Sequence, residues 1–190
     1  MDKTLIFSDS IIFSKIEDQK LTEIILNLLN ENEKNNKGAL KSNIGGFQTE
    51  PIDNFYLNES FTAETAKCLQ NNYRMKKQSK LNLLDLWINK NYKGSINIPH
   101  IHPKSNFSGV FYVSVPEKEG KLMFLRNDKT AAFTDNSMYL EGSDFHNIYE
   151  IQPKNNMFIL FPSHLNHMVM PHFNNNPRIS VSFNLKLCDE

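Results

Sequence analysis

The chain has 190 residues, and its 21 basic side chains balance 21 acidic ones, so the formal charge is zero. That neutrality argues against nucleic acid as a partner and against electrostatic attachment to an anionic membrane. A hydrophobic fraction of 39% with 14 Phe excludes a disordered chain, and the length suits one domain with its own core.

The first residues, Met1-Asp2-Lys3-Thr4-Leu5-Ile6-Phe7, lack the basic stretch and long apolar run of a secretory signal. No segment approaches the roughly 20 apolar residues of a membrane span. Cys68 and Cys188 form no CxxC pattern. A cytoplasmic protein is expected, with a homodimer as the commonest assembly. Ser14-Lys15-Ile16-Glu17 has the spacing of a capping box. Leu21, Ile24, Ile25 and Leu28 then form one apolar stripe, which predicts a helix over residues 17–34, ended by Asn35-Asn36-Lys37-Gly38. Residues 38–58 carry Gly45, Gly46, Pro51, Asp53 and Asn54 and read as loop with at most short strands. A second helix is expected over residues 61–79, with Ala63, Ala66, Leu69 and Tyr73 facing inward.

From residue 82 the period changes to two. Leu84, Leu86 and Ile88 alternate with Asp85, Trp87 and Asn89. Further strand candidates are 107–113, 121–125, 148–151, 157–161 and 168–170, punctuated by Pro and Gly. The last is the clearest: Ile179, Val181, Phe183, Leu185 and Leu187 alternate with Arg178, Ser180, Ser182, Asn184 and Lys186. One face packs on a core, and the other meets water or a polar barrel interior. The fold class is mainly β with N-terminal helices: a jelly-roll, cupin-like barrel over residues 82–188. Residues 1–80 are its helical cover, and 1–190 make one domain.

All six histidines lie in the C-terminal half. His100 and His102 form a His-x-His pair, and on a strand such residues share a face, so both can meet one metal ion. Three residues separate His164 from His167, which on a strand puts them on opposite faces. His167 begins an alternating segment and is the better ligand, while His164 sits in a Pro-Ser turn and reads as a solvated loop residue. His146 and His172 carry no assigned chemistry. Only three of the basic residues are Arg, and Arg178 opens the last strand between apolar neighbours. A guanidinium there needs a carboxylate, either from within the chain or from a ligand. Ser180 shares its face.

These residues occur in a fixed order: Trp87-Ile88-Asn89, His100-Ile101-His102-Pro103, Ser108-Gly109-Val110-Phe111-Tyr112-Val113, Phe161-Pro162-Ser163-His164-Leu165-Asn166-His167 and Arg178-Ile179-Ser180. With Gly45-Gly46-Phe47-Gln48-Thr49, the set resembles the 2OG-Fe(II) oxygenases of bacteria and of phages of marine bacteria, over about residues 45–185. The resemblance implies a double-stranded β-helix and an oxygenase, a hydroxylase in particular, that uses Fe(II), 2-oxoglutarate and O2. It implies His100, His102 and His167 at the metal. It places Arg178, Ser180 and Tyr112 at the far carboxylate of 2-oxoglutarate. A phage-encoded enzyme would work in the host cytoplasm.

One position departs from the pattern. The family's second ligand is Asp or Glu, and here it is His102. Either His102 is a ligand in a three-His site, or it stands behind the metal, or a carboxylate such as Asp128 or Asp144 completes the set. Trp87, Asn89, Asn97 and Phe107 are candidates for the substrate pocket, and the substrate is a small molecule or a peptide. Two rival classes stay open. One is a three-His cupin metalloenzyme that does not use 2-oxoglutarate. The other is a non-catalytic barrel that only binds.

Overall fold

In a computed structural model the described residues are 9–74, 79–116, 120–126 and 147–189. In chain order they form β1 (Ile12–Lys15), α1 (Gln19–Asn35), β2 (Asn43–Ile44), β3 (Phe47–Gln48), α2 (Phe55–Asn72), β4 (Ser79–Asn91), β5 (Ile96–His100) and β6 (Phe107–Ser114). Then come β7 (Leu122–Leu125), β8 (Ile148–Ile151), β9 (Met157–Pro162), β10 (Asn166–Val169) and β11 (Arg178–Asp189). Six strands make one sheet in the order β1-β9-β6-β11-β4-β3, and five make the other in the order β2-β5-β10-β7-β8. The recorded pairings are antiparallel. This is the expected double-stranded β-helix.

The strand period sorts the larger sheet into two faces. Leu86 and Ile88 of β4, Phe111 and Val113 of β6, Phe158 and Leu160 of β9, and Val181, Phe183 and Leu185 of β11 form one core with the helices. Leu21, Ile25 and Leu29 of α1 and Leu57, Phe61 and Leu69 of α2 complete it. Phe61 stacks on Phe183 at 5.1 Å and lies tilted against Phe111 at 5.8 Å, so one aromatic seats α2 on the sheet. The residues between, on the other face, look toward the smaller sheet. Val110, Ile159 and Phe161 meet Leu122, Phe124 and Ile151 there as a second apolar cluster.

Gly109 lies in close contact with the Phe183 ring of the helix-side core. A Cβ at this position would lie 2.1 Å from Cζ of Phe183. Gly109→Ala must push that ring off its stack, and overpacking of this kind costs about 1–3 kcal/mol. Thermal unfolding should show Tm lowered by about 2–12 °C at this chain length. An unchanged Tm would mean that the ring is free to move.

Several local expectations are corrected. Ser14 is not a cap: it lies in β1, and its hydroxyl donates to Glu64 of α2. The N-cap of α1 is Asp18, which accepts from the Leu21 N–H at 3.0 Å and from the Tyr56 hydroxyl at 2.8 Å. The second helix starts earlier, behind the N-cap Asn54, and buries Leu57, Phe61, Thr65, Cys68 and Leu69. Of the four residues expected inside it, Leu69 is buried, whereas Ala63 and Tyr73 are exposed and Ala66 is half-buried. Leu84 is no core residue either. The β4–β11 register passes from Leu83 to Asp85 across a bulge, which leaves Leu84 48% exposed. Phe107 packs on the helix-side core and is not among the residues lining the cleft described below.

Candidate active site

The site lies between the two sheets, and each sheet contributes half. On the smaller sheet, His100 ends β5 directly opposite His167 of β10. His102 stands beyond the end of β5, in the following loop. Its backbone N–H donates to Ser163 O at 2.9 Å, and the Ser105 hydroxyl reaches His102 O at 3.0 Å. A buried hydroxyl chain braces this loop. Ser108 donates to Asn184 Oδ1 at 2.7 Å, so Ser163 must be the donor in its 2.8 Å contact with Ser108.

The three rings converge. Their ligand atoms all lie within 4.8 Å of one another. Nδ1 of His100 is 2.7 Å from Ile98 O, and Nδ1 of His167 is 2.9 Å from Leu165 O. A carbonyl only accepts, so both Nδ1 atoms carry the proton and both Nε2 lone pairs are left for the centre. Nε2 of His102 is 3.3 Å from Nε2 of His167. Two nitrogens bound to one metal at about 2.1 Å stand about 3.0–3.4 Å apart, so this pair suits a shared ion. Phe161 and Phe124 pack on the His167 ring at 4.8 and 5.8 Å, and Trp87 lies 5.7 Å from His102. Among the described residues no carboxylate joins the cluster. Asp128, Asp144 and His146 lie outside the described residues.

Burial holds the three imidazoles neutral. Desolvation, then the nearby His167 and His100, pushes His102 down to about 3. Desolvation, then His100, brings His167 to about 4, and desolvation lowers His100 as well. Neutral imidazole is the form that binds a metal. The sign for stability follows. The unfolded chain takes up protons near pH 6.5 that the native site refuses. Stability of the metal-free protein is therefore complete above pH 6.5 and falls as pH drops toward 4. Melting curves between pH 7.5 and 5 should show Tm decreasing, with a smaller decrease in His102→Gln. A Tm that held or rose would contradict the buried, neutral triad.

The larger sheet supplies the other half. Arg178 is 2% exposed, on the polar face of β11 that points into the barrel. Its Nη1 donates to Gly120 O at 2.6 Å and its Nη2 to Asn91 Oδ1 at 2.9 Å. Its Nε is buried with no partner, and among the described residues no carboxylate pairs with it. Among the described residues, then, neutral oxygens and not a salt bridge hold this arginine. Asn91 stands opposite it on β4 and donates to Asn97 Oδ1 at 3.2 Å. Asn97 donates on to Ser42 Oγ at 3.1 Å. Gly120 has φ 69°, and a Cβ there would lie 2.9 Å from Arg178 Nη1, so the carbonyl that fixes the guanidinium needs glycine. Sequence reasoning missed Asn91 and Gly120. For Asn91 the signal was present, since it continues the inward series Asp85, Trp87, Asn89.

Ser180 faces Tyr112 across the β11–β6 pair and Asn89 across the β11–β4 pair. Tyr112 is 1% exposed, and burial pushes its phenol up to about 12 against the pull of Arg178, so the hydroxyl keeps its proton. Asn89 donates to Ser182 Oγ at 3.0 Å, while its Oδ1 is buried without a partner. The cleft they share encloses about 510 Å³, its open mouth included. His100, His102, His167, Arg178, Ser180, Tyr112, Trp87, Asn89 and Asn97 all line it, which brings the sequence candidates other than Phe107 into one place.

His164 stays outside this group, exposed, with Nε2 3.0 Å from Asp9 Oδ1. His172, to which the sequence assigned no chemistry, packs near this site. It is buried, and its Nε2 meets Asn91 O at 2.8 Å, behind the arginine site. No helix among the described residues is long and apolar enough to cross a membrane.

A donor set of three imidazoles suits a divalent metal, and a buried guanidinium with an orphaned N–H suits a carboxylate. Both groups of the family's chemistry thus find residues to hold them. No curated protein sequence matches the chain. Similar folds are found among solved structures. The alpha-ketoglutarate-dependent epimerase SnoN from nogalamycin biosynthesis has TM-score 0.67 at 11% identity, covering 96% of this chain and 81% of that one. A prolyl-4-hydroxylase from Pseudomonas putida has TM-score 0.60 at 10% identity, covering 94% and 93%. The viral collagen prolyl hydroxylase of Paramecium Bursaria Chlorella virus-1, solved with 2OG, has TM-score 0.59 at 14% identity, covering 92% and 94%. At these identities the likeness establishes the fold. The family described as Putative 2OG-Fe(II) oxygenase matches residues 85–184, from the inward face of β4 through the histidines to the polar face of β11. With more than half of its length matched, the chain belongs to this family of Fe(II)- and 2-oxoglutarate-dependent dioxygenases.

Proposed function

We propose that the protein is a hydroxylase, with His100, His102 and His167 as the iron ligands and Arg178, Ser180 and Tyr112 as the anchor for the far carboxylate of 2-oxoglutarate. The observation that carries this reading is the pairing of two unlike half-sites in one cleft. Three neutral imidazoles converge on one side. A buried arginine that has no carboxylate partner among the described residues lines the other. A three-His cupin enzyme would use the first half alike and Arg178 for a substrate carboxylate, so dependence on 2-oxoglutarate separates the two readings.

When bound, iron and 2-oxoglutarate together supply oxygen activation, and the co-substrate leaves as succinate and CO2. The chain's own residues do the rest. The backbone carbonyls of Ile98 and Leu165 fix the tautomers of His100 and His167. Asn91 and Gly120 hold the guanidinium in one plane, so that the carboxylate meets a preset fork. Tyr112, protonated, donates rather than repels. Phe161 and Phe124 keep one flank of the metal site apolar. With three neutral ligands the site carries one positive charge more than a two-His, one-carboxylate set, which favours a dianionic co-substrate.

The test is turnover with Fe(II) under air. Succinate should form only when 2-oxoglutarate is present, in step with oxygen uptake, and oxygenation of an added substrate should track it. Oxygen uptake indifferent to 2-oxoglutarate would favour the cupin reading.

A further inference from the structure

Beside the cleft that holds the histidines and Arg178 is a wider, more open one of about 1000 Å³, its mouth included. The two share Ser42, Trp87, His100 and His102, so the second is the approach to the first. Asp85 lines only this outer cleft. Strand alternation puts Asp85 on the inward face of β4, in line with Trp87 and opposite Asn184, next to the bulge at Leu84. Asp85 Oδ1 is buried and has no hydrogen-bond partner. A carboxylate oxygen kept from water without a donor is costly, and proteins retain such a group where something else satisfies it. The chain's own nearby cation does not. Lys41 lines the same cleft, but it is exposed and forms no ion pair with Asp85. Gln48, Asn184 and Ser42 add neutral polar groups to the lining, and one flank is apolar. Ile98 and Ile101 are 41% and 46% exposed there, next to Pro103 and the Trp87 ring.

We propose that the outer cleft binds an aliphatic ammonium group, with Asp85 as its counter-ion and Ile98, Ile101 and Trp87 along its hydrocarbon stem. The substrate class is then a primary amine on an alkyl chain, either free or as a lysine side chain in a peptide. This rests on the reading of the histidines as the reacting centre, since it is their position that makes the cleft a substrate path. A half-buried carboxylate with one undonated oxygen, beside an aromatic face, suits a cation, and the exposed isoleucines suit a methylene chain.

The chain has a single tryptophan, Trp87, so its emission reports on this cleft. The full chain is titrated with n-hexylamine, n-hexanol and hexanoate, first metal-free and then with redox-inert Zn(II). The amine should change the emission saturably, with Kd at least tenfold below those of the alcohol and the carboxylate. Asp85→Asn should erase that preference. It should also melt at or above the parent's temperature, because it replaces a half-buried carboxylate whose Oδ1 has no donor. Equal or tighter binding of hexanol or hexanoate would overturn the proposal. So would an amine preference that survives in Asp85→Asn, or a variant that melts well below the parent. Free lysine and an acetyl-lysine amide then distinguish a small-molecule from a peptide source. Amine binding without 2-oxoglutarate-dependent turnover would sink the oxygenase reading and leave this site standing; the reverse outcome would do the opposite.

Discussion

His167→Ala is expected to lose metal binding by at least about a hundredfold, and 2-oxoglutarate turnover with it. A complete four-ligand zinc site is worth about 10–16 kcal/mol, so one imidazole carries roughly 3 kcal/mol. Each 1.4 kcal/mol is tenfold in affinity. The loss should be largest at His167, because it is nearly fully buried, its tautomer is fixed by Leu165 O, and two aromatic rings hold it in place. Co(II) titration followed by visible absorption gives the affinities directly. His102→Ala should fall by a similar factor, whereas His102→Asp should keep the metal, since it restores a two-His, one-carboxylate set. If His102→Ala bound Co(II) like the parent, His102 would stand behind the metal and not on it.

The second large effect is expected at Arg178. Hydrogen bonds to charged groups contribute about 1.5–3 kcal/mol each, so removing a fork that meets a carboxylate weakens binding by about a hundredfold or more. Arg178→Ala should therefore raise the Kd for 2-oxoglutarate by that factor while leaving Co(II) affinity unchanged. Arg178→Lys should recover only part of it, because a point charge cannot reproduce the planar fork. Asn91→Asp gives an independent check. It would place a carboxylate where Asn91 Oδ1 now accepts from Nη2, and this internal pair should compete with the co-substrate. Thermal shift reads both arms: 2-oxoglutarate should raise the Tm of the metal-loaded parent and barely move that of either variant. A 2-oxoglutarate affinity untouched by Arg178→Ala would remove the anchor from the account.

Much of this site was legible because strand alternation is a strict rule. On β11 the polar series starting Arg178, Ser180 had to share one face, and the structure buries that face inside the barrel rather than in water. His100 and His167 were legible as residue types on short strands, though not as direct neighbours, because their pairing across β5 and β10 is a long-range contact. His102 reached the cluster by a different route from the one expected. It lies past the strand end and is aimed by the Ser105, Ser163 and Ser108 chain, whose members are scattered over the sequence. Gly120 could not be foreseen either, since a backbone carbonyl as a guanidinium partner has no sequence signature.

The N-terminal third was less well read for a similar reason. β1 is four residues long and exists because Ile12 to Lys15 pair with Leu160 to Met157, nearly 150 residues away. Local pattern turned Ser14 into a cap, when Asp18 does that work. In α2 the expected face of Ala63, Ala66, Leu69 and Tyr73, on a helix started at residue 61 and not at Phe55, missed Phe61, which fills the space the sheet offers beside Phe111, Phe158 and Phe183.

The central claim is that one cleft holds both iron and 2-oxoglutarate. The most direct test adds Fe(II) and 2-oxoglutarate to the protein without oxygen and records the visible spectrum. The account predicts a metal-to-ligand charge-transfer band that needs both additions, saturates at one equivalent of each, and is lost in His167→Ala. Iron bound at full occupancy with no such band at saturating 2-oxoglutarate would contradict it.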